Sequence, residues 1–431
     1  MNDMLALGID VGTSGVRVVA TNAEHDVIAL AQTNLPAPIN NGQTTVQDAS
    51  LWWLAVSTAL DQLRTMISFE RIAAICIDGT SGTIVAVDRN GQPLAPASMY
   101  NDPSAKAAAD VIAKIAPPET AAHGATSPLG RAIALQKMPG VVGILHQADW
   151  IMSQFTGAFD TSDENNALKT GYDPALRVWP QWIEAAGFDM KLLPRVVAVG
   201  EIVGIVLPAI QIRFGLGKNT KVVSGTTDGC AAFLATGANN VGDGVTSLGT
   251  TMVIKLLSDR PIFAPQFGIY SHRIGDLWLP GGASNSGGAA LLKYFNAEQI
   301  SALEPSINVR EPTGQKYYPL SGIGERFPVY DPHMQSRAEP RPASDAAFLQ
   351  GLLEGIADVE VLAYQRMAEL SAPTLQRVFT VGGGAKNKPW GEIRAQKLKV
   401  PMEIPASDQA AVGAARLAWK GLVTDRNAKI S

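Results

Sequence analysis

The chain has 431 residues, 46% hydrophobic and 17% charged, a balance that builds packed cores and excludes a disordered polymer. Its length exceeds what one core supports and predicts two sizeable domains, drawn at residues 1–240 and 241–431. A net charge of −4 gives no electrostatic case for nucleic acid or an anionic membrane surface, so small molecules are the expected partners of a monomer or homodimer.

The cysteines are Cys76 and Cys230, both in apolar surroundings, and read as core thiols in a reducing compartment. His25, His123, His146, His272 and His333 show no metal-ligand spacing. Met1-Asn2-Asp3-Met4 lacks a basic leader pattern. The apolar stretch 196–210 is too short and broken to span a bilayer. A cytoplasmic protein is expected.

The chain opens on the apolar run Leu5-Ala6-Leu7-Gly8-Ile9, followed by Asp10-Val11-Gly12-Thr13-Ser14-Gly15-Val16-Arg17. This predicts strand, turn and strand, with a third short strand by residue 35. Gly12 and Gly15 let the backbone bend and approach a ligand. Thr13, Ser14 and the turn's N–H groups suit phosphate oxygens, and Arg17 adds charge. The alternative use is a plain hairpin whose turn begins with an acid. Residues 46–66 predict a helix, capped by Asp48 or Ser50, with Trp52, Trp53, Val56, Leu60 and Leu63 on its core face. Residues 72–77 predict a buried strand ending in Asp78-Gly79-Thr80-Ser81-Gly82-Thr83, with its return at 84–88. Helices are expected at 103–115 and 144–155, and a polar loop at 160–173. Gly215-Leu216-Gly217-Lys218-Asn219-Thr220 lacks the spacing and the hydroxyl of a Walker A loop and reads as a surface turn. The β-branched run at 222–224 ends in Gly225-Thr226-Thr227, and Asp228 opens a small-residue helix. The helix dipole favours its ionised form there, and an N-cap is its alternative role.

A domain junction is expected at 236–241. Strand, turn and strand recur at 245–257 around Gly249-Thr250-Thr251. A small-residue turn follows at 281–288; it is glycine-rich but sits in no dinucleotide-binding βαβ pattern. A polar, proline-rich segment spans 325–345 and a long helix 348–370. The strand at 377–381 ends in Gly382-Gly383-Gly384-Ala385. The last helix starts near Asp408, with Ala411, Ala414 and Ala415 on a tightly packed face. Each half thus opens with a hairpin whose turn reads Gly-Thr-Ser or Gly-Thr-Thr, a weak internal echo able to hold a polyphosphate from two sides.

Strand-end turns carrying Asp10, Asp78, Asp228, glycines and hydroxyls suit phosphoryl transfer. That chemistry needs a base for the incoming hydroxyl, a carboxylate for Mg2+ and donors around the phosphates. Asp228 suits the base and Asp10 the metal or substrate ligand, and on these grounds the two roles are interchangeable.

Four segments carry a resemblance: the turn from Asp10 to Arg17, Gly225-Thr226-Thr227-Asp228-Gly229, Ser247-Leu248-Gly249-Thr250-Thr251, and Gly382-Gly383-Gly384-Ala385-Lys386-Asn387. Together, in this order, they resemble the FGGY carbohydrate kinases over nearly the whole chain. The resemblance implies two actin-like (ribonuclease H-like) α/β domains with ATP and sugar in the cleft between them, the first domain on the sugar side and the second on the nucleotide side. It implies that Asp228 is the catalytic base and Asp10 the metal- and sugar-side acid. Thr13, Ser14 and Arg17 match the first phosphate motif, Gly249, Thr250 and Thr251 the second, and Gly383, Gly384, Ala385 and Asn387 the adenosine motif. ATP and Mg2+ are the implied cofactors.

The chain departs from typical xylulokinases. Ser81-Gly82 align with their Met-His pair, Arg131 lies near where the first family signature has a lysine, and the second signature is poorly kept. Gly324-Glu325-Arg326-Phe327-Pro328 is similar to part of the region before it, and the chain is shorter than most members. With 165–173 and 281–288, the Asp78-to-Thr83 turn looks like the D-ribulokinase subgroup of cyanobacteria and plants. By that match Ser81 is a sugar ligand; its alternative is a hydroxyl satisfying the turn's own backbone. The expected activity is phosphorylation of a free ketopentose, D-ribulose giving D-ribulose 5-phosphate, with xylulokinase as runner-up. A sugar or nucleotide sensor and an actin-like filament protein are rivals that retained Asp10 and Asp228 disfavour.

Overall fold

The computed structural model describes residues 3–430, and side chains as far as 426. The chain divides into two units. The first comprises Met1–Ala235, His272–Gly275 and Gln409–Ser431, the second Thr236–Ser271 and Asp276–Asp408.

In the first unit a six-stranded sheet runs Ile202–Ile205, Lys221–Thr227, Ile72–Gly79, Leu5–Val11, Gly15–Thr21, Val27–Asn34. The first hairpin is antiparallel, while Leu5–Val11 and Lys221–Thr227 both lie parallel to Ile72–Gly79. Strand Leu5–Val11 is buried throughout, because both of its faces are covered. Leu5, Leu7, Ile9 and Val11 meet Trp52, Val56 and Leu60 of helix Ala49–Leu63 in one core. On the opposite face Ala6, Ala74, Cys76 and Val223 meet Ala414, Leu417 and Ala418. These last belong to helix Ala410–Ile430, far along the chain. Gly8 permits that contact: a Cβ there would lie 1.8 Å from the Ala411 carbonyl oxygen. Ala411, Ala414 and Ala415 are all fully buried.

The second unit repeats the plan. Its sheet runs Tyr270–Ile274, Leu277–Ser284, Met252–Leu256, Asp243–Leu248, Arg377–Val381, Met402–Glu403. Asp243–Leu248, Met252–Leu256 and Leu277–Ser284 are antiparallel neighbours, with Tyr270–Ile274 added at the edge, and Arg377–Val381 runs parallel to Asp243–Leu248 as Met402–Glu403 does to Arg377–Val381. The internal echo in the sequence is therefore an echo of topology. Helix Asp345–Glu369 seals one face through Phe348, Leu349, Leu352 and Ile356.

Several elements differ from expectation. The first helix begins at Ala49, because Thr45–Gln47 pairs as a strand with Ala97–Ser98. Asp48 caps it through Ser50 N–H. The helix expected at 144–155 begins at Gln147, because Gly143–His146 pairs with Ile84–Val87. The segment 160–173 is no solvated loop. It forms strand Thr161–Asp163 and helix Glu164–Lys169, almost wholly buried. Several of its polar groups are paired: Asp163 accepts from the backbone N–H groups of Asn165 and Asn166 and from Asn166 Nδ2, and Glu164 pairs with Arg177 at 2.7 Å. Part of the turn expected at 281–288 is strand, where a Cβ on Gly281 would lie 2.0 Å from Ile254 O. Among the described residues no helix is long and apolar enough to cross a membrane.

Candidate active site

Strand alternation and register build the centre of the first unit. Asp10 pairs in register with Asp78 across parallel strands, both on the sheet face that carries Ala6, Ala74 and Cys76. Helix Asp228–Ala235 starts where Lys221–Thr227 ends and puts Asp228 at the same end of the sheet. Asp228 Oδ1 accepts its neighbour's N–H, Gly229 N, at 2.7 Å.

Asp10 is 8% exposed and Asp78 fully buried. Neither carboxylate oxygen of Asp78 receives a hydrogen bond from an N–H or hydroxyl donor. The Asp10 carboxyl is its neighbour in register on the adjacent strand. Burial, then the charges of Asp10 and Asp228, hold Asp78 well above the carboxylate range. Asp10 is pushed up to about 6, first by burial and then by Asp228; the bond from Asp78 and the charge of Arg17 pull the other way. Arg17 lies 3.7 Å from Asp10 with half of its side chain exposed.

The turn between the first two strands closes through Gly12 N–H to Gly15 O at 2.9 Å. Ser14 and Arg17 are exposed and Thr13 half-buried. Gln47 props this turn, donating through Nε2 to Thr13 O (3.3 Å) and Pro36 O (2.8 Å) and accepting from Trp52 Nε1 (2.7 Å). The Thr80–Thr83 turn stands beside it, with Thr80 Oγ1 donating to Val11 O at 3.4 Å. Ser81 Oγ bonds to no protein group, the backbone of its own turn included. Arg131 is fully buried, donates to Gly82 O at 2.5 Å and to Ser98 O and Met99 O at 2.8 Å, and is drawn down to about 10 by burial.

In the second unit the turns after Asp243–Leu248 and Arg377–Val381 are neighbours, since those strands run parallel and adjacent. A Cβ on Gly382 would lie 2.8 Å from Leu248 O, and one on Gly384 would meet Leu248 Cβ and the Trp390 ring. Gly383, by contrast, opens onto free space. Gly288 N–H donates to Gly249 O (2.9 Å) and Ala289 N–H to Thr250 O (3.1 Å), so Gly249, Thr250 and Thr251 abut a third glycine turn. Ala385 is exposed. Asn387 is already engaged: Oδ1 caps helix Lys388–Leu398 through Trp390 N–H, and Nδ2 donates to Glu304 at 2.8 Å. Below the turns, Arg394 forks onto Glu360 (2.6 and 2.7 Å) and reaches Thr380, while Glu360 accepts from Thr246. Glycine turns at the C-terminal ends of adjacent parallel strands are where open α/β sheets bind ligands.

Within the first unit Asp10, Asp228, Thr13, Ser14, Arg17 and Ser81 thus gather at one end of a sheet. Gly249, Thr250, Thr251, Gly383, Gly384, Ala385 and Asn387 gather at the corresponding end of the other. Sequence reasoning noted Asp78 without assigning it a place, and missed Gln47, Arg131 and Gln147 as braces. The even spacing from Ala74 to Asp78 was the available signal for Asp78; the register that sets it against Asp10 was not legible.

Paired sheets of this topology, one ending in carboxylates and the other in glycine–hydroxyl turns, define a two-domain actin-like phosphotransferase. Family models agree: residues 5–124 match the FGGY family of carbohydrate kinases, N-terminal domain, and 244–422 its C-terminal domain. The chain belongs to that family and is an ATP-dependent carbohydrate kinase using Mg2+. It is 24% identical to the xylulose kinase of Escherichia coli (strain K12), over 96% of this chain and 89% of that one. It is 22% identical to the gluconokinase of Bacillus subtilis (strain 168), over 93% and 84%. A crystal structure described as a xyloylose kinase from Brucella ovis superposes with a TM-score of 0.87 at 22% identity, covering 97% of this chain and 91% of that one.

Proposed function

We propose that this kinase phosphorylates a free ketopentose, D-ribulose first, to D-ribulose 5-phosphate. The observation that carries this reading is the Ser81 hydroxyl, which has no protein partner on a small turn beside Asp10. A hydroxyl both donates and accepts, so it suits a substrate hydroxyl of one orientation. An epimer that cannot meet it leaves a buried polar group unpaired, and such sites discriminate strongly. D-xylulose is the second reading, supported by relatives that bear the name xylulose kinase.

In this reading Asp228 takes the proton of the sugar's terminal hydroxyl as that oxygen bonds to the γ-phosphorus and ADP leaves. Asp10 orients the sugar and would hold Mg2+. The fit to the metal rests on Asp10 itself, a largely buried carboxylate at the strand end with Arg17 3.7 Å away. Mg2+ is commonly held by one or two carboxylates together with phosphates; when bound it supplies charge neutralisation at the transferring phosphoryl group. Thr13, Ser14 and Arg17 on the first unit, and Gly249, Thr250 and Thr251 on the second, offer donors for phosphates. Gly383, Gly384, Ala385 and Asn387 shape the adenosine side, with Asn387 acting as a helix cap rather than a free ligand.

The test is Ser81→Ala. One lost hydrogen bond is worth about 1–3 kcal/mol at such a site. The D-ribulose to D-xylulose ratio of kcat/KM should therefore fall roughly ten- to a hundredfold. A ratio unchanged by Ser81→Ala would overturn the reading.

A further inference from the structure

The Ser81 turn is held from three sides, and its holders lie far from it in sequence. Thr83 N–H closes the turn onto Thr80 O at 3.3 Å, and Gly82 takes the positive φ of 88° that a type II turn demands at its third residue. Gln147 then clamps both ends: its Oε1 accepts Thr80 N–H at 2.9 Å, and its own N–H donates to Thr83 O at 3.1 Å. Arg131 grips the middle through Gly82 O. These bonds fix the backbone on either side of Ser81, whose hydroxyl has no protein partner.

We propose that Gln147 and Arg131 are positioning residues for sugar specificity, fixing the turn so that the Ser81 hydroxyl meets one substrate hydroxyl. This rests on the ketopentose reading above. The cost of Gln147 points the same way. Its Nε2 is buried with no protein acceptor, a cost to stability that sets this glutamine apart from an ordinary core residue. What the side chain does accomplish is to accept Thr80 N–H. A hydrocarbon of the same length removes the orphan and the clamp together but leaves the buried Thr80 N–H without its acceptor, so specificity has to be read as a ratio of two sugars, which a general loss of stability does not move. Arg131 acts differently. It is a buried cation with backbone acceptors on Gly82, Ser98 and Met99, and its planar fork, which a lysine lacks, spans them.

The experiment is a double-mutant cycle on the full chain with D-ribulose and D-xylulose. Gln147→Met should narrow the ratio of kcat/KM about three- to tenfold, the loss expected when one hydrogen bond no longer sets a reacting geometry. Its KM for ATP should stay near that of the parent, while its Tm falls modestly because the Thr80 N–H loses its acceptor. In a Ser81→Ala background the same substitution should change the ratio no further. Arg131→Lys provides the second arm should Gln147→Met fold poorly, and should likewise lose its effect once Ser81 is alanine. A ratio narrowed by Ser81→Ala but not by Gln147→Met or Arg131→Lys overturns the positioning role alone. Effects that add in full to that of Ser81→Ala also overturn it, since the braces would then act elsewhere. A ratio untouched by Ser81→Ala overturns both readings.

Discussion

At the residue scale the first unit concentrates three acids that cannot all ionise together. Burial and the charge of Asp228 raise Asp10, while a hydrogen bond with Asp78 and the charge of Arg17 hold it to about 6. Folded Asp10 holds its proton more tightly than the unfolded 3.8. Its contribution therefore favours the fold at low pH and is lost as pH rises through about 6. Activity should run the other way, because in the role proposed for Asp10 the acid must be ionised. We expect kcat/KM to fall below pH about 6. Asp78→Ala removes the lowering hydrogen bond and should move that limb upward, while Asp78→Asn keeps a donor and should move it less. A pH profile in which Asp78→Ala shifts the limb downward would refute the pairing. Asp228→Asn preserves shape and removes proton acceptance, so kcat should drop by about 10²–10⁴-fold while sugar binding, measured by calorimetry, survives in part. Turnover near the parent rate would remove Asp228 from the base position.

At the element scale the glycines separate folding from binding. Gly384 is wedged between Leu248 and Trp390, so a valine there disturbs the core as well as any nucleotide. Gly383 faces open space one residue earlier. Gly383→Val should raise the KM for ATP at least tenfold, about 1.4 kcal/mol of lost binding, with little change in Tm or in the KM for sugar. An unchanged KM for ATP would place the nucleotide away from this turn. Gly8 is the opposite case. A methyl there meets the Ala411 carbonyl of helix Ala410–Ile430 at 1.8 Å, so Gly8→Ala should destabilise the protein by about 1–3 kcal/mol, read as a lower denaturation midpoint at unchanged m-value. A midpoint at or above the parent's would mean that the helix yields without cost.

At the scale of the whole molecule, what was legible in the sequence was local. The strand–turn–strand openings, the burial of Trp52 and the cysteines, and the tight face of Ala411, Ala414 and Ala415 follow from period and residue size. What was not legible depends on long-range pairing. Nothing local says that helix Ala410–Ile430 crosses back to cover Ala6, Ala74 and Val223, because small residues that let backbones meet look alike whatever they meet. Residues 160–173 read as solvated since their side chains are polar, yet Asp163, Glu164 and Asn165 spend that polarity on one another, on Arg177 and on Thr226. Asp78 and Gln147 stayed hidden for the same reason: one gains its meaning from register against Asp10, the other from reaching Thr80 across 67 residues.

The chemistry of a carbohydrate kinase follows from the family, and the proposed choice of sugar rests on the Ser81 turn. The most direct measurement is the wild-type kcat/KM for D-ribulose against D-xylulose, with ATP and Mg2+, in one coupled assay. Preference for D-ribulose by roughly ten- to a hundredfold is the predicted result. Preference for D-xylulose, or for neither, would contradict it.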